Sequence, residues 1–190
     1  MPLDRASFAL VPHPDGPAPA WRIDVDVRRA SCGTLRLVYR LAGDLSGVRV
    51  PPTGAVRRGD RLWERTCFEA FVASDDGPAY VELNFAPSGE WAAYAFDAYR
   101  ASAAAPADAI LSRLVVRAGA DALEVAAAAA LPAWRDPPLR VGLSAVIETD
   151  GGVRSYWALR HPPGPPDFHH ATAFAARLGA PGAANEERRA

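Results

Sequence analysis

Apolar residues recur at every second position along most of the chain, the spacing of strands with one face on a core and the other on solvent. In WRIDVDVRR, Trp21, Ile23, Val25 and Val27 share one parity, and Arg22, Asp24, Asp26 and Arg28 the other. TLRLVYRL repeats the pattern with Leu35, Leu37, Tyr39 and Leu41, and Ser31-Cys32-Gly33 between the two runs predicts an early antiparallel pair. Ser7 to Val11 reads as a short edge strand. His13-Pro14-Asp15-Gly16-Pro17 breaks regular structure, and Gly43 to Asp60, with Pro51-Pro52 inside it, is an irregular connection.

Two later hairpins follow from the same parity. AYVELNF and WAAYAFD flank Ala86-Pro87-Ser88-Gly89-Glu90, and pairing Phe85 with Trp91 puts Val81, Leu83 and Phe85 on the face of Ala93 and Ala95. Tyr80, Glu82 and Asn84 then share the opposite face with Ala92, Tyr94 and Phe96. LRVGLSAVIE and VRSYWALRH turn at Thr149-Asp150-Gly151-Gly152, with Leu139, Val141, Leu143, Ala145 and Ile147 in line. ALEVAAAAAL is contested. Alanine propensity, Asp121 as cap and Pro132 as stop favour a helix, whereas the alternation of Leu123, Val125, Ala127, Ala129 and Leu131 beside LSRLVVRA favours a strand, which is the reading taken.

Leu62 to Ala73 is apolar on both parities: Leu62, Phe68, Ala70 and Val72 against Trp63, Cys67 and Phe71, with Arg65 and Glu69 on the second face. A strand covered on both sides, by core and by a ligand groove, gives this mixture. Asp97 to Asp108, Ala-rich with Pro106 inside it, reads as a loop or one helical turn. Pro162 to His170, with four prolines, is neither helix nor central strand and predicts an ordered loop. Ala173 to Leu178 is placed to close the sheet. Many short strands separated by turn signals indicate an all-β antiparallel sandwich of jelly-roll type, one domain over 1–178 with a flexible tail over 179–190.

Composition narrows the function. Net charge is −1 over 190 residues, and every basic residue is Arg, since the chain has no Lys. That balance argues against nucleic acid or an anionic membrane as partner. The N-terminal stretch has neither an apolar run of signal length nor a membrane span, which predicts a cytoplasmic protein. Cys32 and Cys67 have no paired spacing and are expected to stay thiols there.

The residues richest in chemistry lie between Leu62 and Arg100. A carboxylate midway along an apolar strand, such as Glu69 or Glu82, must meet an Arg, a hydroxyl or a ligand. Arg65 and Arg100 are the nearby cations in sequence, so a structural ion pair stands beside a ligand contact as the reading of Glu69 and Glu82. Trp63, Tyr94 and Trp157 offer flat surfaces for stacking, with core packing as the plainer role of a Trp. His161, Asp167, His169 and His170 sit on the proline-rich loop; adjacent His residues seldom ligate one ion, and no metal or other cofactor is expected.

The set Leu62-Trp63-Glu64-x-Thr66-Cys67-Phe68-Glu69-x-Phe71, Tyr80-x-Glu82-x-Asn84-x-x-Pro87-Ser88-Gly89-x-Trp91-x-x-Tyr94-x-Phe96, Tyr156-Trp157-Ala158-Leu159-x-His161-Pro162 and Pro166-Asp167-Phe168-His169-His170 resembles bacterial DOMON-like proteins. These are similar to a superfamily that includes family-nine carbohydrate-binding modules and haem- or sugar-binding DOMON domains. The resemblance spans Ser7 to Leu178 and implies a jelly-roll sandwich with a ligand groove on one sheet. It carries no catalytic activity. Haem-binding DOMON domains use a Met and a His as axial ligands, and the only Met here is Met1, which argues against that haem. Sugar-binding modules are usually exported appendages of glycosidases, a setting for which this sequence gives no sign.

Three functions follow. The first is a non-catalytic module binding a small polar, carbohydrate-like ligand. Arg65, Glu69, Glu82, Asn84 and Arg100 supply hydrogen bonds, Trp63, Tyr94 or Trp157 a stacking surface, and His161, Asp167 and His169 a lid. The second is a small hydrolase or isomerase, with Glu82 or Glu69 as base and His161 or His169 as its partner. The third is a structural protein-interaction domain.

Overall fold

Thirteen strands, joined by turns and three short 3-10 segments, account for the regular structure in a computed structural model that describes residues 4–17, 19–30 and 32–180. The expected tail from 181 onward lies outside the described residues. The strands are β1 (Asp4–Pro12), β2 (Arg22–Arg29), β3 (Thr34–Ala42), β4 (Arg57–Arg58), β5 (Cys67–Ser74), β6 (Tyr80–Phe85), β7 (Glu90–Ala98), β8 (Ala101–Ser102), β9 (Ile110–Ala118), β10 (Ala122–Ala130), β11 (Leu139–Glu148), β12 (Arg154–Ala158) and β13 (Ala176–Leu178). Their order is β4-β7-β6-β5-β11-β12-β1-β2-β3-β10-β9, with β13 added to β11 and β8 to β7. Among the described residues, only β4 with β7 runs parallel. The chain is an all-β sandwich.

The two halves of that order pack face to face. Ile23, Val25, Leu37, Leu41 and Val125 from one sheet meet Phe68, Leu83, Leu143 and Ile147 from the other in a single buried core. Burying side chains of this size contributes roughly 1.5–3 kcal/mol each, the largest favourable component of the fold. Tyr39 adds a polar tie: its buried hydroxyl donates to the backbone carbonyl of Glu69 on β5, 2.6 Å away and in the opposite sheet.

The alanine run is a strand. Ala122 to Ala130 pairs antiparallel with Ala42 to Thr34, and on its other side with β9. Helix preference is a matter of tenths of a kcal/mol per residue, and a helix here would leave the backbone edge of β3 unpaired. The β6–β7 hairpin has the expected register, Phe85 opposite Trp91 and Glu82 opposite Tyr94. Its turn needs Gly89, whose φ is +89° and whose missing Cβ would stand 2.9 Å from the carbonyl oxygen of Gly54.

Two expectations are corrected. β1 is not an edge strand: residues 4–10 pair with β2, and Val11 and Pro12 pair with Ala158 and Trp157 of β12, so one strand runs from one sheet into the other. The parity read through Leu62 also fails. Leu62–Glu64 is a 3-10 turn entered through a left-handed Arg61, and the strand begins only at Cys67. Leu62 therefore packs with Cys67, Ala86 and Ala92 on the outer side of β5, not with Phe68.

At one end of the sandwich, the buried guanidinium of Arg29 donates to the carbonyls of Trp134, Arg135, Pro137 and Gly179 at 2.8–2.9 Å. It ties the connection before β11 and the segment after β13 to the end of β2.

Candidate ligand groove

The outer face of β5, β6, β7 and β12 carries a cavity of about 500 Å³. Strand alternation supplies its floor. Phe68, Ala70 and Val72 point inward to the core, which turns Glu69 and Phe71 outward; the same parity on β6 turns Glu82 outward while Val81 and Leu83 go inward. Glu69 pairs with Asn84, and Phe71 with Glu82, so the two carboxyl side chains are diagonal neighbours on adjacent strands. Tyr94 and Phe96 of β7 and Tyr156 of β12 form walls, and Trp63 stands at the rim from its 3-10 turn, with its ring 5.4 Å from that of Tyr94 in an edge-on arrangement.

The far wall is the loop 162–170, which is ordered by specific contacts. Asp167 accepts hydrogen bonds from the Tyr99 hydroxyl (2.7 Å), from Arg100 Nη2 (2.8 Å) and from the backbone N–H of His169 (3.1 Å). Burial works against the ionised form of Asp167, but those bonds and the Arg100 charge outweigh it and hold its carboxyl below the usual range. The His169 ring then lodges between Phe71 and Phe96, each 5.1 Å away between centroids.

Glu69 and Glu82 are only 2% and 4% exposed. Glu69 accepts from the Ser144 hydroxyl at Oε2 (3.1 Å), and its Oε1 has no hydrogen-bond partner among the described residues. Burial, and then the neighbouring Glu82 charge, push the Glu69 carboxyl well above the ordinary range. Burial likewise raises Glu82 to about 7, against the Asn84 amide, which donates to Oε1 at 2.8 Å, and the more distant Arg100 charge. His169 Nε2 lies 3.8 Å from Glu82 Oε2. Burial, with repulsion from Arg100, lowers the imidazole to about 4, so it is neutral near pH 7. The floor is rich in carboxyl oxygens and, with both carboxyls raised by burial, holds little fixed charge.

Of the residues singled out in the sequence, Trp63, Glu69, Glu82, Tyr94, Arg100 and His169 line this one cavity. Asn84 is fully buried beneath it and orients Glu82. Asp167 anchors the loop. Three are elsewhere. Arg65 pairs with Glu148 (3.1 Å) in a neighbouring depression instead of meeting Glu69, because the 3-10 turn sets it outside the strand's alternation. Trp157 is 2% exposed in the core between the sheets, its indole N–H donating to Ser155. His161 bonds to the Val11 carbonyl at 2.9 Å and packs edge-on against His13, away from the floor. Among the described residues, no group of three or more His, Cys, Asp or Glu is placed to hold a metal ion.

Sequence reasoning missed Arg154, Tyr156 and Phe168 as lining residues. The first two were within reach: Ser155 and Trp157 go to the interior, so Arg154 and Tyr156 must face outward. Phe168 becomes a wall only through the loop's path.

No protein-family model matches the chain, and no curated protein matches it. Solved structures do. A family 9 carbohydrate-binding module (CBM9) from Caldicellulosiruptor kristjanssonii in complex with cellotriose superposes with a TM-score of 0.54 at 8% identity, over 93% of this chain and 75% of that one. A putative carbohydrate-binding protein from Bacteroides uniformis superposes with a TM-score of 0.57 at 14% identity, over 93% and 84%. The fold is thus that of carbohydrate-binding-module-like β-sandwiches.

Proposed function

We propose that the protein is a binding module that takes a small polar, carbohydrate-like ligand in the groove over Glu69 and Glu82. The observation that carries this reading is the unpartnered, buried Glu69 Oε1 on the floor of an aromatic-walled cavity of about 500 Å³. Such a floor suits a ligand with hydroxyl donors and flat apolar faces. The structural likeness to a module crystallised with cellotriose supports the same class of ligand. Calorimetric titration of the chain with neutral mono- and disaccharides tests it. Saturable binding weakened at least about ten-fold by W63A and by Y94A is the expected result; binding unchanged in both variants would place any sugar outside the groove.

One observation favours a second reading, acid–base catalysis on the bound ligand. A buried carboxyl held at about 7 on the floor of the groove, with a neutral imidazole N–H 3.8 Å away, can take or give a proton near neutral pH. Turnover of a bound ligand that vanishes in E82Q, with affinity kept, would select this reading over simple binding.

A further inference from the structure

The groove has two buried carboxyl groups and no buried cation to match them. Arg100, the nearest arginine to Glu82 among the lining residues, directs Nη2 to Asp167, and Arg154 on β12 is solvent-exposed at the rim. His169, from the loop, faces Glu82 as a neutral ring. Tyr94 on β7 spends its hydroxyl proton on Asp60, and Ser144 on β11 already donates to Glu69 Oε2. Glu69 Oε1 is therefore a buried carboxyl oxygen without a partner among the described residues, beside a second carboxyl and in an aromatic-lined groove. Hydroxyls satisfy lone pairs but not charge. An ammonium group satisfies both.

We propose that the groove recognises its ligand through a protonated primary amine held between Glu69 and Glu82, so that within the carbohydrate class it selects amino sugars over neutral ones. This rests on the sugar-binding reading for the second half of the statement and on the carboxyl pair alone for the first. Seating the cation offsets the burial effect for one carboxyl of the pair. One of Glu69, pushed well above its ordinary range, and Glu82, at about 7, ionises against the ammonium and releases its proton to the buffer, while the other stays protonated and donates or accepts a hydrogen bond.

The test titrates the chain with D-glucosamine, N-acetyl-D-glucosamine, D-glucose and cyclohexylamine at about pH 6.5, where the amines carry their protons. Each titration is run in two buffers of different ionisation enthalpy. Glucosamine should bind at least about ten-fold more tightly than glucose or its N-acetyl derivative, with proton release only for the amines. E69Q should bring glucosamine and glucose within about two-fold of each other, as should E82Q, each checked for folding by its thermal melt. Equal affinity for glucosamine and glucose in the unaltered chain overturns amine selection while leaving sugar binding intact. Cyclohexylamine binding without any sugar keeps amine recognition and removes the carbohydrate class. Absence of binding by all four overturns both.

Discussion

His169 Nε2 stands 3.8 Å from Glu82 Oε2 while its Nδ1 lies 2.8 Å from the Tyr80 hydroxyl. The backbone N–H of Arg100 donates to that same hydroxyl at 3.1 Å, which directs the tyrosine's own proton to His169. Nδ1 is then the acceptor, and the ring proton sits on Nε2, facing Glu82. Arg100 holds this position with φ +53°, a left-handed conformation uncommon for a residue with a side chain. The tautomer can be read by nitrogen NMR of the imidazole. The unaltered protein should show a single Nε2–H form near pH 7, and Y80F a mixture; an Nδ1–H ring in the unaltered protein contradicts the relay.

The pair also shapes the dependence of stability on pH. Glu82 titrates at about 7 in the fold against 4.5 ordinarily. Between those values the native state keeps a proton that the unfolded chain has released, so this group's contribution is full below 4.5 and lost as pH rises to about 7. His169, at about 4 against 6.5, acts oppositely: its contribution is full above 6.5 and lost as pH falls toward 4. Where the windows overlap the two slopes offset each other. Replacing Glu82 by Gln removes the first, together with the Glu82 charge that helps raise Glu69, and leaves the His169 slope, so E82Q should gain on the order of 2–3 kcal/mol relative to the unaltered chain between about pH 4.5 and pH 7.5. Urea midpoints at several pH values measure this; parallel profiles for the two proteins would refute it.

Across the core, Tyr39 donates to the Glu69 carbonyl from the facing sheet. Tyr39→Phe leaves that carbonyl without its cross-sheet donor and should cost about 1–3 kcal/mol by urea denaturation. A change below about 0.5 kcal/mol would mean the carbonyl is satisfied by its ladder alone.

Arg29 donates to four carbonyls at the end of the sandwich. Arg29→Met keeps much of the side-chain volume and removes every donor, and roughly 3–5 kcal/mol of destabilisation is expected from the buried carbonyls left behind. Hydrogen exchange should locate the early loss of protection around 132–137 and 176–179. Uniform loss across the sandwich would instead mark Arg29 as a general core residue.

The parts of the fold legible in the sequence were those set by parity. Phe85 falls opposite Trp91, the register that turns Trp91 and Ala93 to the interior beside Leu83 and Phe85, and the alanine strand showed itself through Leu123 and Val125 despite its propensity. The groove floor was legible for the same reason: Glu69 and Glu82 alternate with core residues, Phe68 and Ala70 on either side of the first and Val81 and Leu83 on either side of the second. Parity could not see the left-handed step at Arg61 that takes Trp63 and Arg65 out of the strand and sends Arg65 to Glu148. Nor could it choose between the faces of Trp157, since an indole suits a core as well as a ligand wall. His161 was misplaced because its partner, the Val11 carbonyl, is 150 residues away in sequence.

Because β1 passes from pairing with β2 to pairing with β12, the sandwich has a common hem and not two free rims on that side. Removing residues 4–12 would uncover two rows of unpaired backbone groups at once, one beside β2 and one beside β12. The second adjoins the strand that carries Arg154 and Tyr156 into the groove. A trimmed chain would thus suffer at the ligand wall as well as at the back sheet, although none of the described side chains of residues 5–12 lines the cavity.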